Sequence, residues 1–540
     1  MGDVAARRIL GVDIGNTSCT VAVMRQGTLQ TIANEQGNRS TPCCVAMTEV
    51  ETVVGEPALG QMSRNARHTI TDLMLMLGRD WEDAELQAAL PRWRFGATRS
   101  QSGEVQLELP GKNGPQQLSA GRLLSLVLSE VRAAAEAFCD APVKEVTLAL
   151  PPHYSERQTQ ALLESARSAG MRVRETLSQP LAVALLGARE LPEEPLGAAQ
   201  EELYLVVDVG GSSSSASVVA RYRGGGGGGG GGGAREELDD FALRCSRSAL
   251  GLGASMLDAK LCAHVLRDIK RRSRVDLAEN ARVMARVLAA CEACKRSLSA
   301  TAQAQVAVEA EGADYFCNVT RAVLDDASAG FCQQVLELVR ATLAEADVVP
   351  EQLCALLLAG GGARSPALQA ALAAAIPAKR VLFASNSEEA VARGAALHGA
   401  MLPGHARADG AMQRTELGRR KLLPRDLAVE IASGATSVLV HAKSPLPLVR
   451  TAHIKKPDAP CVLKLSLLEL APTPEADSRH QVCSLTLREI PEDAQTLMLR
   501  LSVEADASLE LSCEAAFDDA TEKPPCIIGS VRAPPPNAPA

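Results

Sequence analysis

Aromatic residues make up only 2% of this 540-residue chain, and no apolar run approaches the length of a membrane span. The first lack disfavours extensive base-stacking platforms, and the second disfavours a membrane helix of about 18 or more apolar residues. The net charge of −8 disfavours a general nucleic-acid binder. Residues 1–8 contain no apolar segment of a secretory leader. A cytoplasmic protein without membrane or direct DNA partners is therefore expected.

The fifteen cysteines are scattered and lack the paired spacing of a zinc site. Cys291 and Cys294 form one C-x-x-C, but a structural zinc site needs a second pair at suitable spacing. Reduced thiols are the favoured interpretation. A metal or redox role for this pair is the minor alternative.

The chain is organised in two domains of different pattern. Strand and helix patterns alternate over 8–402, which predicts an α/β domain. Over 427–526 apolar residues recur at every second position between Pro, Asp and Gly clusters, which predicts an all-β domain. Residues 403–426 are interpreted as a linker, and 527–540 as a disordered proline-rich tail. Ten consecutive glycines at 224–233 predict a disordered loop insertion, with a domain linker as the alternative.

One short pattern occurs twice in the first domain. ILGVDIGNTSCTVAV at Ile9–Val23 and YLVVDVGGSSSSASVV at Tyr204–Val219 each carry an apolar run, Asp-x-Gly and small hydroxylated residues. Glycine lets a backbone approach a phosphate, and a carboxylate can hold magnesium through its waters. A single copy is more often a plain hairpin, but two copies favour two loops closing on one nucleotide. The candidate phosphate-binding residues are Asp13, Gly15, Asn16, Thr17, Asp208, Gly210, Gly211 and Ser212, with Asp13 and Asp208 holding Mg²⁺ through water.

Two further elements are candidates for the nucleoside. Gly360, Gly361 and Arg364 follow an apolar strand and open a helix, where backbone N–H groups favour anions. A second set lies on one helical stripe at i, i+3, i+4 and i+7, where a carboxylate, a hydroxyl and a guanidinium suit a ribose and a purine. Its members are Glu292, Lys295, Arg296 and Ser299. A solvated helix face with intrahelical ion pairs is the alternative, and is favoured for the stripe taken alone.

Together these elements resemble the heat-shock-70 (DnaK-type) chaperone family. Family segments occur in family order: IANEQGNRSTPCCVA, the pair Gly78-Arg79, LALPPHYSERQTQAL and NSEEAVARGAAL. The resemblance is close over 8–402 and fainter over 413–520. It implies an α/β, actin-like, two-lobed ATPase domain followed by a small β-sandwich of the peptide-binding type. ATP or ADP with Mg²⁺ is the implied ligand.

The sequence departs from the family where hydrolysis chemistry is expected. Met74 stands at the position of the catalytic lysine, Gln179 replaces a glutamate, and Ser215 replaces an aspartate. A thioether cannot stabilise developing phosphate charge. No catalytic residue is therefore assigned with confidence, and Asp208 is the remaining candidate. Glu175 replaces an arginine that typical members use to dock a J-domain.

The resemblance is strongest to a divergent branch that lacks the helical lid, the Hsp70-14 and Ssz-type subunit of the ribosome-associated complex. It implies an ATP-binding co-chaperone with weak or no hydrolysis. The implied partners are a zuotin-type J-domain protein, the ribosome with its nascent chains, and another heat-shock-70 chaperone in protein folding and the stress response. Two alternatives stay open: an active ATP-hydrolysing, peptide-binding chaperone, and a scaffold that no longer binds nucleotide.

Overall fold

A computed structural model gives the structure of the chain. It describes residues 8–191, 201–222, 240–310, 312–377, 380–383 and 386–402, followed by 416–417, 426–431, 436–440, 448–455, 463–470, 479–487, 490–491, 494, 496–503, 508–516 and 526–533. The chain divides into two compact units, Met1–Thr415 and Glu416–Ala540. The predicted glycine-tract insertion at 224–233, and most of the predicted linker at 403–426, lie outside the described residues.

The first unit contains strands, α-helices and short 3-10 turns. The strands are β1 (Ile9–Ile14), β2 (Ser18–Arg25), β3 (Thr28–Thr31), β4 (Thr41–Pro42), β5 (Val45–Met47), β6 (Thr52–Val54), β7 (Thr69–Ile70), β8 (Ala97–Arg99), β9 (Val105–Leu109), β10 (Gln116–Ser119), β11 (Glu145–Leu150), β12 (Arg172–Ser178), β13 (Glu201–Val209), β14 (Ser213–Tyr222), β15 (Asp240–Leu250), β16 (Gln303–Ala310), β17 (Ala313–Thr320), β18 (Leu353–Ala359) and β19 (Arg380–Phe383). The helices are α1 (Glu56–Gly60), α2 (Leu73–Met76), α3 (Ala84–Ala89), α4 (Ala120–Cys139), α5 (Glu156–Ser168), α6 (Gln179–Glu190), α7 (Ser255–Ser273), α8 (Ala281–Leu298), α9 (Arg321–Glu345), α10 (Pro366–Ala375) and α11 (Ala390–Met401).

Two sheets with the same topology form the centres of two lobes. The first has the order β12-β11-β1-β2-β3, and the second contains β19-β18-β13-β14-β15. In each sheet a hairpin, β1–β2 or β13–β14, pairs antiparallel with one further strand and parallel with another, β11 or β18. The repeated sequence pattern therefore corresponds to a repeated structural unit, and the predicted two-lobed α/β architecture is confirmed.

Helices α6 and α11 join the two lobes through very small side chains. A Cβ on Gly11 of β1 would lie 2.0 Å from the Ala396 nitrogen of α11, and one on Gly394 of α11 would lie 2.0 Å from the Ala182 oxygen of α6. On the other side, a Cβ on Gly187 of α6 would lie 2.8 Å from Leu357 of β18. The backbones approach closely because alanine and glycine occupy these faces, which accounts for the alanine-rich, aromatic-poor composition.

Local sequence signals account for the helix ends nearest the site. Ser155 and Gln158 form the capping box of α5. Helix α7 begins at Ser255. Helix α8 is preceded by a 3-10 turn at Leu277–Glu279, and its N-cap Asn280 accepts from the Arg282 and Val283 N–H groups.

The second unit consists of strands alone among its described residues. They are β20 (Glu416–Leu417), β21 (Asp426–Ile431), β22 (Thr436–Val440), β23 (Leu448–Lys455), β24 (Leu463–Leu470), β25 (Arg479–Leu487), β26 (Thr496–Val503), β27 (Leu509–Ala516) and β28 (Cys526–Ala533). Two four-stranded sheets, β22-β21-β24-β25 and β23-β26-β27-β28, contribute Leu427, Leu465, Leu499 and Leu511 to a common core. The predicted all-β domain with period-two alternation is confirmed.

The disordered tail predicted over 527–540 is wrong for its first part. Cys526–Ala533 forms β28, which pairs antiparallel with β27 from Ala515 to Leu509. The open edge of β27 supplies backbone hydrogen-bonding partners that a proline-rich composition does not reveal. Gly529 fits here because a Cβ would lie 2.6 Å from Leu487 of the facing sheet. Residues 534–540 lie outside the described residues.

The close packing of α6 on α11 predicts that Gly394→Ala destabilises the first unit. Alanine normally favours a helix by about 1 kcal/mol over glycine, but here its Cβ would overlap the Ala182 carbonyl. Overpacking of this kind costs about 1–3 kcal/mol, so the thermal midpoint should fall by several degrees.

Gly60→Ala in α1 is the matched control, since nothing lies within 4 Å of its Cβ position. Calorimetry of both variants should show a lower midpoint for Gly394→Ala only. Equal midpoints for the two variants would show that α6 and α11 have room to separate.

Candidate nucleotide-binding site

The two repeated stretches form turns of the same geometry. The Gly15 N–H donates to the Ser18 carbonyl at 2.9 Å, and the Gly210 N–H donates to the Ser213 carbonyl at 2.9 Å. A Cβ at either glycine would lie 3.2 Å from the accepting oxygen. These two N–H groups close the turns, contrary to the expectation that they donate to phosphate. Phosphate donors would therefore come from 16–17 and 211–212.

The two turns meet in the structure. A Cβ on Gly211 would lie 2.4 Å from Cγ2 and 2.7 Å from Oγ1 of Thr17, so only glycine allows this approach. The structure therefore brings together two loops that are 195 positions apart in the sequence, as the repeat predicted. Their use as a phosphate site stays a prediction.

Asp208 lies close enough to Asp13 to affect its ionisation. Burial, together with the negative charge of Asp208, raises the pKa of Asp13 to about 7, although a hydrogen bond from Gln179 opposes the shift. Burial raises the pKa of Asp208 to about 6. Two carboxylates that disfavour their own charge form an environment in which a divalent cation would be stabilised.

Gln179 and Ser215 occupy the immediate surroundings of these two carboxylates. Gln179 is the first residue of α6, and its Nε2 donates to Asp13 Oδ1 at 2.9 Å. Ser215 lies directly opposite Asp208 in the β13–β14 ladder, so both side chains project from the same face. A carboxylate at either position would add negative charge beside Asp13 or Asp208, and this chain carries a neutral group at both.

The glycine run after β18 packs directly on the second loop. Gly360 has a φ of 79°, and a Cβ there would lie 2.5 Å from Asp208 Oδ1. The run continues as a 3-10 turn at Gly361–Arg364, and α10 begins only at Pro366. The sequence analysis expected the glycines to open a helix directly, whereas in the structure a 3-10 turn lies between them and α10. Gly361 and Arg364 both lie near Glu388, with 3.7 Å between Arg364 Nη1 and Glu388 Oε1.

The four residues of the predicted helical stripe make contacts of different kinds. Lys295 Nζ donates to Asp258 Oδ2 at 2.8 Å and to the Ala254 carbonyl at 3.1 Å, which fastens α8 to the start of α7. Arg296 and Glu292 form an exposed i, i+4 ion pair at 2.8 Å, as the alternative interpretation of this stripe proposed. Ser299 Oγ lies 3.5 Å from the Lys295 carbonyl. A nucleoside contact by these four residues stays a prediction.

Asp258 is a residue of this region that the sequence analysis missed. Its carboxylate holds Lys295, while the Ala254 N–H donates to the Gly210 carbonyl at 2.9 Å and Ser255 N–H donates to the Gly211 carbonyl at 2.9 Å. The second loop, the start of α7 and α8 are thereby connected. The available signal was a carboxylate on the buried face of α7, in register with Leu261 and Val265.

The side chains of Asn16 and Met74 both have partners within the first lobe. Asn16 Nδ2 donates to Asp72 Oδ1 at 2.6 Å, and its Oδ1 accepts from the Leu75 N–H at 3.1 Å. The Asn16 amide therefore holds the α2 segment. Met74, in that segment, is only 4% exposed and belongs to the core of the first lobe. An apolar side chain at this position is therefore stabilised by packing.

Glu175 lies beside a histidine, and the two cysteines of the C-x-x-C lie in a hydrophobic core. Glu175 Oε2 lies 3.2 Å from Nε2 of the buried His398 on α11. Cys291 and Cys294 are buried in the core of the second lobe. Among the described residues, no group of three or more His, Cys, Asp or Glu side chains is arranged to hold a metal ion.

The raised pKa values predict how stability varies with pH in the nucleotide-free protein. Each carboxyl binds its proton more tightly in the folded than in the unfolded state, so stability falls as pH rises from about 4 to about 7. Asp13→Asn removes this penalty. We therefore expect the thermal midpoint of Asp13→Asn minus that of the native chain to be more positive at pH 8 than at pH 5, by about 2 °C or more.

Asp426→Asn in the second unit serves as the matched control for the loss of one carboxylate. Scanning calorimetry at pH 5, 6, 7 and 8, without nucleotide or magnesium, measures both differences. A midpoint difference for Asp13→Asn that is constant with pH would contradict the raised pKa of Asp13.

Comparison with known proteins assigns the chain to a family. The family described as "Hsp70 protein" matches residues 9–456. The heat shock 70 kDa protein of Emericella nidulans is 29% identical over 440 residues, covering 81% of this chain and 64% of that protein. The ribosome-associated molecular chaperone SSB of Candida glabrata is 28% identical over 456 residues, covering 83% of this chain and 70% of that protein.

The heat shock cognate 70 kDa protein 3 of Dictyostelium discoideum is 26% identical over 449 residues, covering 82% of this chain and 67% of that protein. The chain thus spans a little under two thirds of the length of the first of these relatives. No helix among the described residues is both long and apolar enough to cross a membrane. A match over residues 9–456, together with two lobes, paired loops and a β-sandwich, shows that this chain belongs to the Hsp70 family.

Proposed function

We propose that this chain is an ATP-binding co-chaperone that retains its nucleotide with little or no hydrolysis. The observation that carries the proposal is the contrast around Asp13. Asp208 lies close enough to Asp13 to raise its pKa, Gly360 packs on Asp208, and Gly211 of the second loop meets Thr17 of the first. Gln179 is hydrogen-bonded to Asp13, and Met74 is buried in the core of the first lobe. These contacts support a site in which the elements that would hold a nucleotide are assembled and the groups that would activate water are replaced.

The donor set fits magnesium with an adenine nucleotide. Magnesium prefers oxygen ligands and keeps several waters, so two carboxylates suffice to hold its hydration shell. Asp13 and Asp208 have raised pKa values that a bound cation would lower. When bound, magnesium supplies positive charge to the phosphates. This chain's own contribution is to hold the ion's waters at Asp13 and Asp208 and to orient phosphate at Thr17 and Ser212.

Gln179 and Ser215 favour retention over turnover. The Gln179 amide donates to Asp13, and an amide cannot accept a proton from water as a carboxylate can. Ser215, opposite Asp208, likewise offers no base. At position 74 the family's lysine ammonium would supply charge to the transferring phosphoryl group, and a thioether supplies none. Bound nucleotide would instead stabilise the folded unit by mass action.

The proposed partners are a zuotin-type J-domain protein, the ribosome with nascent chains in the cytoplasm, and a second Hsp70 chaperone. Two observations support them. A relative named as a ribosome-associated chaperone is 28% identical over 83% of the chain. Glu175 carries negative charge where the family docks the J-domain with an arginine, which disfavours the usual transient contact and favours pairing through another surface. This combination is typical of the Ssz-type branch.

The nucleotide proposal predicts binding without turnover. Millimolar MgATP should raise the thermal midpoint of the purified chain by several degrees, and chelation of magnesium should remove most of the shift. Radiolabelled ATP recovered from the complex after one hour should be unhydrolysed. Asp208→Asn should lose the magnesium-dependent shift, and Asp426→Asn in the second unit should retain it.

Two outcomes would reject this proposal in different directions. Turnover at a steady rate that Asp208→Asn abolishes would identify an active ATPase, the second candidate, with peptide binding by the β-sandwich to be tested next. Absence of any shift with ATP or ADP would identify a scaffold without nucleotide. A combined Met74→Lys, Gln179→Glu and Ser215→Asp variant that still shifts with MgATP should hydrolyse it at least about 10-fold faster than the native chain.

The partner proposal predicts stable association with one J-domain protein. The tagged full chain, isolated from cells of its own organism, should retain that protein in stoichiometric amount and sediment with ribosomes at low salt. Glu175→Arg should leave the complex intact, because the proposed pairing does not use this position. Recovery of the chain free of both ribosomes and any J-domain protein would contradict the proposal.

A further inference from the structure

A cluster of exposed cations lies at one end of the helical pair α7 and α8. Helix α7 ends at Ser273, α8 begins at Ala281, and both contribute to one core through Val265 and Val287. The end of α7, the residue after it and the start of α8 carry seven exposed basic residues, here called the basic tip. Its members are Arg267, Lys270, Arg271, Arg272, Arg274, Arg282 and Arg286.

Three members of the basic tip form one face of α7, and a fourth follows the end of the helix. Arg267, Lys270 and Arg271 have the i, i+3, i+4 spacing and therefore share a side of the helix, and Arg274 is its C-cap residue. The residues on the opposite side, including Val265 and Ile269, are buried in the core. The cationic face is consequently directed away from the protein, and the side chains of Lys270 and Arg271 are 61% and 76% exposed.

The charge of this region is opposite to that of the whole chain. Residues 267–286 contain seven basic residues and three acidic ones, whereas the full sequence carries a net charge of −8. Asp268 pairs with Arg271 at 2.8 Å and with Arg272 at 3.0 Å, and Asp276 pairs with Lys270. Exposed pairs of this kind contribute little to stability, so a ligand with several negative charges can compete for the cations.

The composition of the basic tip favours phosphates on a double helix. Six of its seven cations are arginine, whose planar guanidinium binds a phosphate through two hydrogen bonds. Residues 255–286 contain no Phe, Tyr or Trp, so these residues themselves offer no ring on which an unstacked base could lie. Positions 267–274 span about 10 Å, and a duplex presents about six phosphates over that length.

We propose that the basic tip binds the phosphate backbone of an RNA double helix without reading its bases. The choice of RNA rests on the proposed ribosome association, and the charge geometry itself is independent of the nucleotide site. Backbone contacts made by arginine carry no sequence information, so one RNA helix should bind as well as another of the same length. The basic tip would hold the chain on structured RNA while the nucleotide site retains its own ligand.

The test measures binding of the full chain to a labelled 20-base-pair RNA duplex by fluorescence anisotropy. A variant with Arg267, Lys270, Arg271 and Arg274 all changed to Gln should bind at least 10-fold more weakly at 50 mM salt. The slope of log affinity against log salt concentration should also become shallower by about 3, since each lost phosphate contact contributes about 0.9.

A matched control removes the same number of exposed cations elsewhere. Changing Arg64, Arg67, Arg92 and Arg94 to Gln alters the net charge equally, and all four are exposed in the first lobe. This control should bind the RNA duplex like the native chain. Both variants should keep the native thermal midpoint, because none of the changed side chains is buried.

Three results would overturn the proposal. Equal weakening by both sets of substitutions would mean that net charge alone governs binding. A poly-glutamate peptide bound more tightly than the RNA would identify an acidic protein as the partner. Native chain that sediments with ribosomes yet fails to bind the duplex would refute this inference and leave the proposed function standing.

Discussion

The close approach of α6 and α11 is the constraint on which the rest of the first unit depends. Each of these helices packs on the sheet of one lobe, and each does so through glycine or alanine: Gly11 against Ala396, Gly187 against Leu357, and Gly394 against Ala182. A larger side chain at any of these contacts would separate the two sheets. Because the sheets carry the two Asp-x-Gly turns at corresponding ends of β1 and β13, their separation decides whether Gly211 reaches Thr17 and whether Asp13 and Asp208 share one environment. Packing of the smallest residues thus determines the electrostatics of the site.

Within that arrangement, the groups around Asp13 are those on which the proposed binding without hydrolysis rests. Burial raises the pKa of Asp13 and of Asp208, the charge of Asp208 raises that of Asp13 further, and the neutral Gln179 and Ser215 limit the accumulation of further negative charge. Lys295, Asp258 and the start of α7 connect the second loop to α8 by hydrogen bonds, so the loop is fixed before any ligand arrives. A site fixed in this way loses little conformational entropy on binding, which suits a nucleotide kept as a structural component.

Much of the fold was predictable because it rests on short-range patterns. The alternation of period two identified the strands of the second unit. Strand β28 was missed, since its pairing is supplied by the edge of β27 rather than by its own composition. Asp258 was missed because a single carboxylate on a helix gains meaning only when Lys295, 37 positions away, is known to lie beside it. The stripe on α8 was proposed as a ligand set, but two of its members are engaged in an intrahelical pair.

The sequence by itself determined the family, the repeated Asp-x-Gly turns, the identity of the residues at 74, 175, 179 and 215, and the cationic spacing on α7, because each is a matter of residue type and position along one element. Only the tertiary structure decided that the Gly15 and Gly210 N–H groups close their own turns, that the Asn16 amide holds α2, that Gln179 binds Asp13, and that the basic residues of α7 and α8 face away from the core. The physical reason is that hydrogen-bond partners and burial depend on distances between residues remote in sequence, and close packing sets those distances.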